Sequence, residues 1–332
     1  MPATPFELHA AETAARLPFR ALVDALRDAA LELARGTIAA PPRQAIGLPE
    51  GGTLLSMAAA APDVAVHKLV TIAPGNAGRG LPTLLGHVDV LDAASGQARL
   101  RLDAPTLTGR RTAALSMLGI ETLAPSAPAS PRGVLVIGTG AQALHHVLAL
   151  RALHPAVRIE ILGRTREATE RFCAAHHFQG AQLPGHADAW STAARATLGV
   201  LHALDRLEAS EADVVITCTT SRTPVYALPA SRERLLIAVG AYRPDMAEIA
   251  PDTVRASRCY VDEPEGARHE AGDLIGAGVD GAQVLPLSAA LARRPAPGDA
   301  PVLLKTVGCA AWDLAAARVA LATAPTPAKS AA

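Results

Sequence analysis

The segment VAVHKLV, residues 64–70, alternates in the manner of a β-strand, which places Val64, Val66, Lys68 and Val70 on one face. An ammonium among three valines is costly unless it has a partner or a task, so Lys68 is a candidate catalytic residue. The segment TLTGRRTAALSML carries a similar signal. On a helix, Leu107, Arg111, Leu115 and Leu118 share a face, and Arg110 and Arg111 fall in the first turn, where the dipole disfavours cations. Two arrangements would relieve that conflict: a substrate carboxylate held in fork geometry by Arg111 and by Arg43 of PPRQAI, or an internal salt bridge.

A third constellation has the chemistry of a dinucleotide site. Gly138, Thr139, Gly140, Ala141, Gln142 and Ala143 form a G-x-G-x-x-A turn between the apolar run GVLVI and a helical segment. Gly138 permits the tight turn, Gly140 lets a pyrophosphate approach the backbone, and Ala143 allows close packing of helix on strand. The second strand, VRIEILG, sets the choice of nucleotide. Glu160 stands near the distance at which a carboxylate holds a ribose 2′-hydroxyl, but the strand continues past it to Arg164, Thr165 and Arg166, which suit a 2′-phosphate. NADPH is therefore the expected cofactor, with NADH as the alternative.

These residues must be positioned by two kinds of architecture. Residues 10–35 have the period of one amphipathic helix ended by Gly36. PRQAIGL, TLLSMAAA, VAVHKLVTI, LLGHVDVLD and QARLRLD, separated by turn signals, predict a mostly antiparallel sheet, and a helix is expected from about Thr106 to Leu123. APSAPASP then separates the parts. Beyond it, GVLVIG, VRIEILG, DVVITCTT, RLLIAVG and RCYVD alternate with helices, the pattern of a parallel doubly wound sheet. No strand is assigned within residues 179–212.

Composition narrows the function classes. Of 332 residues, Lys and Arg number 31 and Asp and Glu 31, leaving no basic field for a nucleic acid or an anionic membrane. The four cysteines have no C-x-x-C spacing, and the doublets His145-His146 and His176-His177 would point apart on a helix, so no metal site is expected. Without a cationic leader or an apolar span, a soluble cytoplasmic protein is expected.

The run HKLVTIAPGNAGRGLPTLLGHVDVLDAASGQ, followed by LTGRRTAA, VIGTGAQA, and GD with LLKTVGCAAWDLAAA, resembles the ornithine cyclodeaminase/μ-crystallin family from about Arg43 to Ala317. The resemblance implies an α/β chain with a Rossmann-type nucleotide domain, residues 119–304, inserted in a smaller α+β substrate-binding and dimerisation domain, residues 1–118 and 305–332. It also implies a homodimer. Members include a lyase that cyclises ornithine to proline with bound NAD, alanine dehydrogenases, and reductases of cyclic ketimines.

Carried over by motif, Arg43 and Arg111 would hold the substrate carboxylate, Lys68 would face the reacting carbon and nitrogen, and Thr83 in LPTLLG would border the site. In the cyclodeaminase an aspartate in a VGGD-like segment handles the substrate amine. Here the segment is VGAYRPD, with Tyr242 at that position and Asp245 three residues on. A phenol does not replace a carboxylate that captures an ammonium, although it can donate to an imine or a water; packing is its other role. The expected activity is therefore reduction of cyclic imine carboxylates, Δ1-pyrroline-2-carboxylate to L-proline and Δ1-piperideine-2-carboxylate to L-pipecolate.

Overall fold

The computed structural model describes residues 6–176, 200–296 and 299–323. The chain divides into two compact units, Met1–Arg111 with Cys309–Ala332, and Thr112–Gly308. The first division falls inside a helix, Ala104–Leu123, rather than at residues 118/119, and the second falls at 308/309 rather than 304/305. The Pro/Ala/Ser segment marks neither one and lies within the second unit. That helix starts earlier than its sequence suggests because Asp103 accepts the amide of Thr106 at 2.8 Å. Arg110 and Arg111 consequently stand beyond the first turn.

Among the described residues the first unit contains six strands: β1 Phe6–Leu8, β2 Gln44–Gly47, β3 Thr53–Ala60, β4 Val64–Ile72, β5 Leu84–Asp92 and β6 Ala98–Asp103. They lie in the order β1-β6-β5-β4-β3-β2, all neighbours antiparallel except β1 with β6. The single helix expected over 10–35 is two, Ala10–Ala15 and Phe19–Ala34. Pro18 divides them, since it has no amide to continue the ladder. Gly36, at φ +76°, ends the second as expected.

Phe19–Ala34 buries Phe19, Leu22, Val23, Leu26, Ala29 and Ala30, a stripe at helical spacing. It packs with the helix Ala310–Ala322, which lies on β3 and β4. Lys68 of β4 pairs with Met57 of β3 and Val88 of β5, a buried cross-strand row on the covered face. One residue out of phase, Ile46, Leu54, Thr71 and Leu85 form a row on the opposite face.

The second unit contains β7 Gly133–Ile137, β8 Arg158–Leu162, β9 Leu201–Ala203, β10 Val214–Thr217, β11 Leu235–Ala238, β12 Arg258–Val261, β13 Leu285–Pro286 and β14 Val302–Lys305. All are parallel, in the order β13-β12-β14-β11-β10-β7-β8-β9. This is a Rossmann-type doubly wound sheet whose order reverses between β7 and β10, the place where such sheets take ligands at their carboxyl ends. β9 falls in the stretch to which no strand was assigned; its three residues, Leu-His-Ala, are too few to show a period. Among the described residues, no helix is long and apolar enough to cross a membrane.

Candidate active site

In the first unit, Lys68 and Arg111 converge on one carboxylate. The Nζ of Lys68 lies 3.4 Å from both oxygens of Asp313, and the Nε of Arg111 donates to Asp313 Oδ1 at 3.2 Å. All three side chains are buried. Asp313 stands in the first turn of Ala310–Ala322, where the positive end of the helix dipole favours an anion. Arg111 thus realises the internal salt bridge weighed from sequence. Two cations share one carboxylate, however, so positive charge remains for a further anion.

Burial pushes the Lys68 ammonium down to about 8; Asp313 opposes this shift, while Arg111 and Arg43 reinforce it. A lysine in that range exchanges a proton near neutral pH, which an ordinary lysine does not. Arg43 precedes β2, is half-buried, and comes close enough for its charge to act on Lys68. Thr83 is exposed at the foot of β5, where its carbonyl accepts from Ala73 at 2.8 Å. Val88, the partner of Lys68, stands five positions further on, or about 16 Å along an extended strand. Arg110 is engaged elsewhere: it donates to the Leu17 carbonyl at 2.8 Å and covers the Phe19 ring at 4.0 Å.

Asp313 is the member of this cluster that sequence reasoning did not single out. Its signal was a lone carboxylate in the apolar run AAWDLAAA. A carboxylate buried on such a helix needs cationic partners, and only the fold shows that these come from β4 and from the helix Ala104–Leu123.

In the second unit the glycine turn leaves β7 at the point where the strand order reverses. Gly138 has φ +128°, and a Cβ there would lie 2.7 Å from the Cys218 carbonyl oxygen, so both conformation and space require glycine. Gly140 differs: nothing lies within 4 Å of where its Cβ would be, which leaves open space against the N-terminus of the helix Ala141–Leu153. Thr139 and Gln142 are half-buried, Ala141 is exposed, and Ala143 is fully buried against the sheet. An exposed backbone turn ahead of helix amides fits a pyrophosphate.

At the tip of β8 the three proposed phosphate readers separate. Arg164 is exposed and has no partner among the described residues. Thr165 caps the helix Arg166–Ala175 by accepting from the Ala168 amide at 3.2 Å. Arg166 is paired with Glu170 at 2.8 Å and Asp205 at 3.6 Å. Glu160, the competing ribose ligand, is buried and receives Arg158 at 2.9 Å and the Ser210 hydroxyl. Those partners draw its carboxylate back toward the amino ends of the strands, away from the strand tips.

Tyr242, four residues beyond β11, is half-buried, and its hydroxyl makes no hydrogen bond among the described residues. Asp245 does not stand in for the cyclodeaminase aspartate: it is exposed and paired with Arg243 at 2.9 Å and Arg222 at 3.2 Å.

The model of the ornithine cyclodeaminase/mu-crystallin family matches residues 7–285. Delta(1)-pyrroline-2-carboxylate reductase 2 of Burkholderia ambifaria is 49% identical over 312 residues, 94% of this chain and 93% of the relative. A Delta(1)-pyrroline-2-carboxylate/Delta(1)-piperideine-2-carboxylate reductase of Azospirillum brasilense is 47% identical over the same share of each chain. The solved structure of Thermococcus litoralis Delta(1)-pyrroline-2-carboxylate reductase, with NADH and L-proline, superposes with a TM-score of 0.79 at 22% identity, covering 95% of this chain and 96% of that one, and so shares the fold. With the family model spanning most of its length and relatives near half identity over almost all of it, the chain belongs to the ornithine cyclodeaminase/mu-crystallin family.

Proposed function

We propose that the protein reduces cyclic ketimine acids, Δ1-pyrroline-2-carboxylate to L-proline and Δ1-piperideine-2-carboxylate to L-pipecolate. The observation that carries this reading is the buried Lys68–Asp313–Arg111 cluster, which combines surplus positive charge for a carboxylate with a lysine whose proton is labile near neutral pH. The activities named for the Burkholderia and Azospirillum relatives support it. So does Tyr242, which stands where ornithine deamination needs a carboxylate.

Arg111 and Arg43 would fix the substrate carboxylate, so that orientation contributes much of the rate. Lys68 would hold a proton at the imine nitrogen and deliver it as the ring carbon accepts hydride, so the C=N double bond becomes CH–NH. Its neighbours Arg111 and Arg43 lower its affinity for that proton, which favours donation. Tyr242, through a water, is the second candidate donor. Thr83, exposed at the far end of β5 from the partner of Lys68, would face the approach to the site rather than the imine itself.

The nicotinamide nucleotide would rest on Gly138, Thr139, Gly140, Ala141, Gln142 and Ala143, where the open space at Gly140 admits its phosphates. When bound, it supplies the hydride. Arg164, exposed and without a partner among the described residues, favours NADPH over NADH as the source, while Thr165 and Arg166, already engaged locally, would contribute less. The outward row of Ile46, Leu54, Thr71 and Leu85, with Ile46 58% and Leu85 44% exposed, offers an apolar face on which two copies would pair as a homodimer. Four free cysteines suit a reducing, cytoplasmic compartment.

Oxidation of NADPH by each cyclic imine, measured beside ammonia release from ornithine and turnover of pyruvate with ammonia, tests the assignment. Reduction confined to the imines is the expected result.

A further inference from the structure

A second buried charge cluster lies wholly in the second unit and takes no part in the chemistry above. Glu248, Asp273 and Lys305 are each at most 2% exposed. The Glu248 carboxylate accepts three hydrogen bonds among the described residues: from the Thr219 amide at 2.6 Å, the Gly240 amide at 2.6 Å and the Thr217 hydroxyl at 2.8 Å. Thr217 ends β10 and Gly240 lies two residues past β11, so a single side chain ties together the exits of two neighbouring strands.

The cluster itself is held from behind. Asp273 Oδ1 accepts the amides of Glu248 at 2.6 Å and Ile249 at 2.9 Å, which fixes the segment that carries the glutamate. Lys305, the last residue of β14, donates to the Ala238 carbonyl at 3.1 Å and lies 3.4 Å from Asp273 Oδ2. Every donor around Glu248 is directed at a carboxylate oxygen, an arrangement that an amide side chain does not reproduce. Burial raises the Glu248 carboxyl above its ordinary range, an effect that Lys305 and the Thr219 amide partly oppose.

Two glycines show how tight the clamp is. A Cβ on Gly240 would lie 1.9 Å from the Thr219 carbonyl oxygen and 2.7 Å from Glu248 Oε1. A Cβ on Gly272, beside Asp273, would lie 2.1 Å from the Met246 carbonyl oxygen and 2.4 Å from that of Arg243. The segment Gly240–Met246 is therefore pinned at its start by Glu248 and along its later part by the Gly272-Asp273 pair. Tyr242 stands inside the pinned stretch.

The geometry points to Glu248 as a positioning residue for the reaction: it fixes the β10 and β11 exit loops and thereby the place of Tyr242 and its neighbours at the carboxyl edge of the sheet. This rests on the imine-reductase reading. Glu248 touches no substrate in this scheme and acts through the amides of Thr219 and Gly240.

The test is the Glu248→Gln variant, which turns an amide nitrogen toward a backbone donor, with rates expressed per nucleotide-binding site. The expected result is an imine KM raised at least about tenfold and a lowered kcat, with the NADPH Kd within about threefold of wild type, because the glycine turn and Arg164 are untouched. A merely structural role would lower the fraction of sites that bind NADPH and leave the KM of the remainder unchanged; that result, or KM and Kd rising together, would overturn the proposal. Thr217→Val removes one donor at little change in volume and should shift the imine KM in the same direction, less steeply. It decides the same split if Glu248→Gln does not fold. A wild-type protein that reduces neither imine would instead defeat the functional reading on which the proposal rests.

Discussion

Lys68 Nζ lies 3.4 Å from both carboxylate oxygens of Asp313, yet this buried ion pair does not keep the lysine at its ordinary basicity. Desolvation outweighs the partner's attraction, and Arg111 and Arg43 add to it, leaving Lys68 at about 8.

A pH profile follows. If Lys68 gives the proton, kcat/KM should be level below that pKa and fall above about pH 8, as the free enzyme loses the donor proton. Lys68→Arg, which stays protonated throughout, should lose the enzymatic limb along with most activity. A limb that persists unchanged in this variant would belong to the imine itself.

Asp313→Asn should cost about 3–5 kcal/mol of stability, because Lys68 and Arg111 would be left buried without a counter-charge. Chemical denaturation measures this. Loss of the one group that raises Lys68 should also move the activity limb below pH 8. Unchanged stability would mean that the cluster is far better hydrated than its burial indicates.

Arg111→Ala should reduce kcat/KM by roughly 10- to 150-fold, the equivalent of the ~1.5–3 kcal/mol of a charge-assisted hydrogen bond to the substrate carboxylate. Arg111 lowers the Lys68 pKa, so its removal should shift the limb to higher pH, opposite to the Asp313 variant. Opposite shifts in the two variants would show that both residues act on the same lysine.

Arg164→Ala should weaken NADPH by about 1.5–3 kcal/mol and leave NADH nearly unaffected. Arg166→Ala should do much less, since that guanidinium already serves Glu170 and Asp205. Kd values for both nucleotides check this, and a wild-type preference for NADH would contradict the role given to Arg164.

Tyr242→Phe should change kcat far less than the roughly 10²–10⁴-fold loss expected for a general acid, if Lys68 is the donor. A loss of that size would transfer the proton step to Tyr242, acting through a water.

Much of this was legible from residue patterns. Period-two alternation placed Lys68 among buried valines, and the G-x-G-x-x-A turn marked a strand-to-helix junction of the parallel sheet, because both signals are local. Where the reading fell short, the cause was non-local or the signal too short. Pro18 interrupts a pattern whose apolar period continues across it. The strand β14 enters the sheet between β11 and β12, far from its neighbours in sequence. Asp313 and Glu248 became visible as partners only once distant elements were brought together. Glu160 stood at a plausible spacing, but spacing does not show toward which end of the sheet a side chain is drawn.

The most direct measurement combines NADPH consumption with product analysis using Δ1-pyrroline-2-carboxylate. One L-proline formed per NADPH oxidised is expected, with the six-membered imine also reduced, no ammonia released from ornithine, and no turnover of pyruvate with ammonia. NADPH binding without oxidation in the presence of either imine, or ammonia released from ornithine, would contradict the assignment.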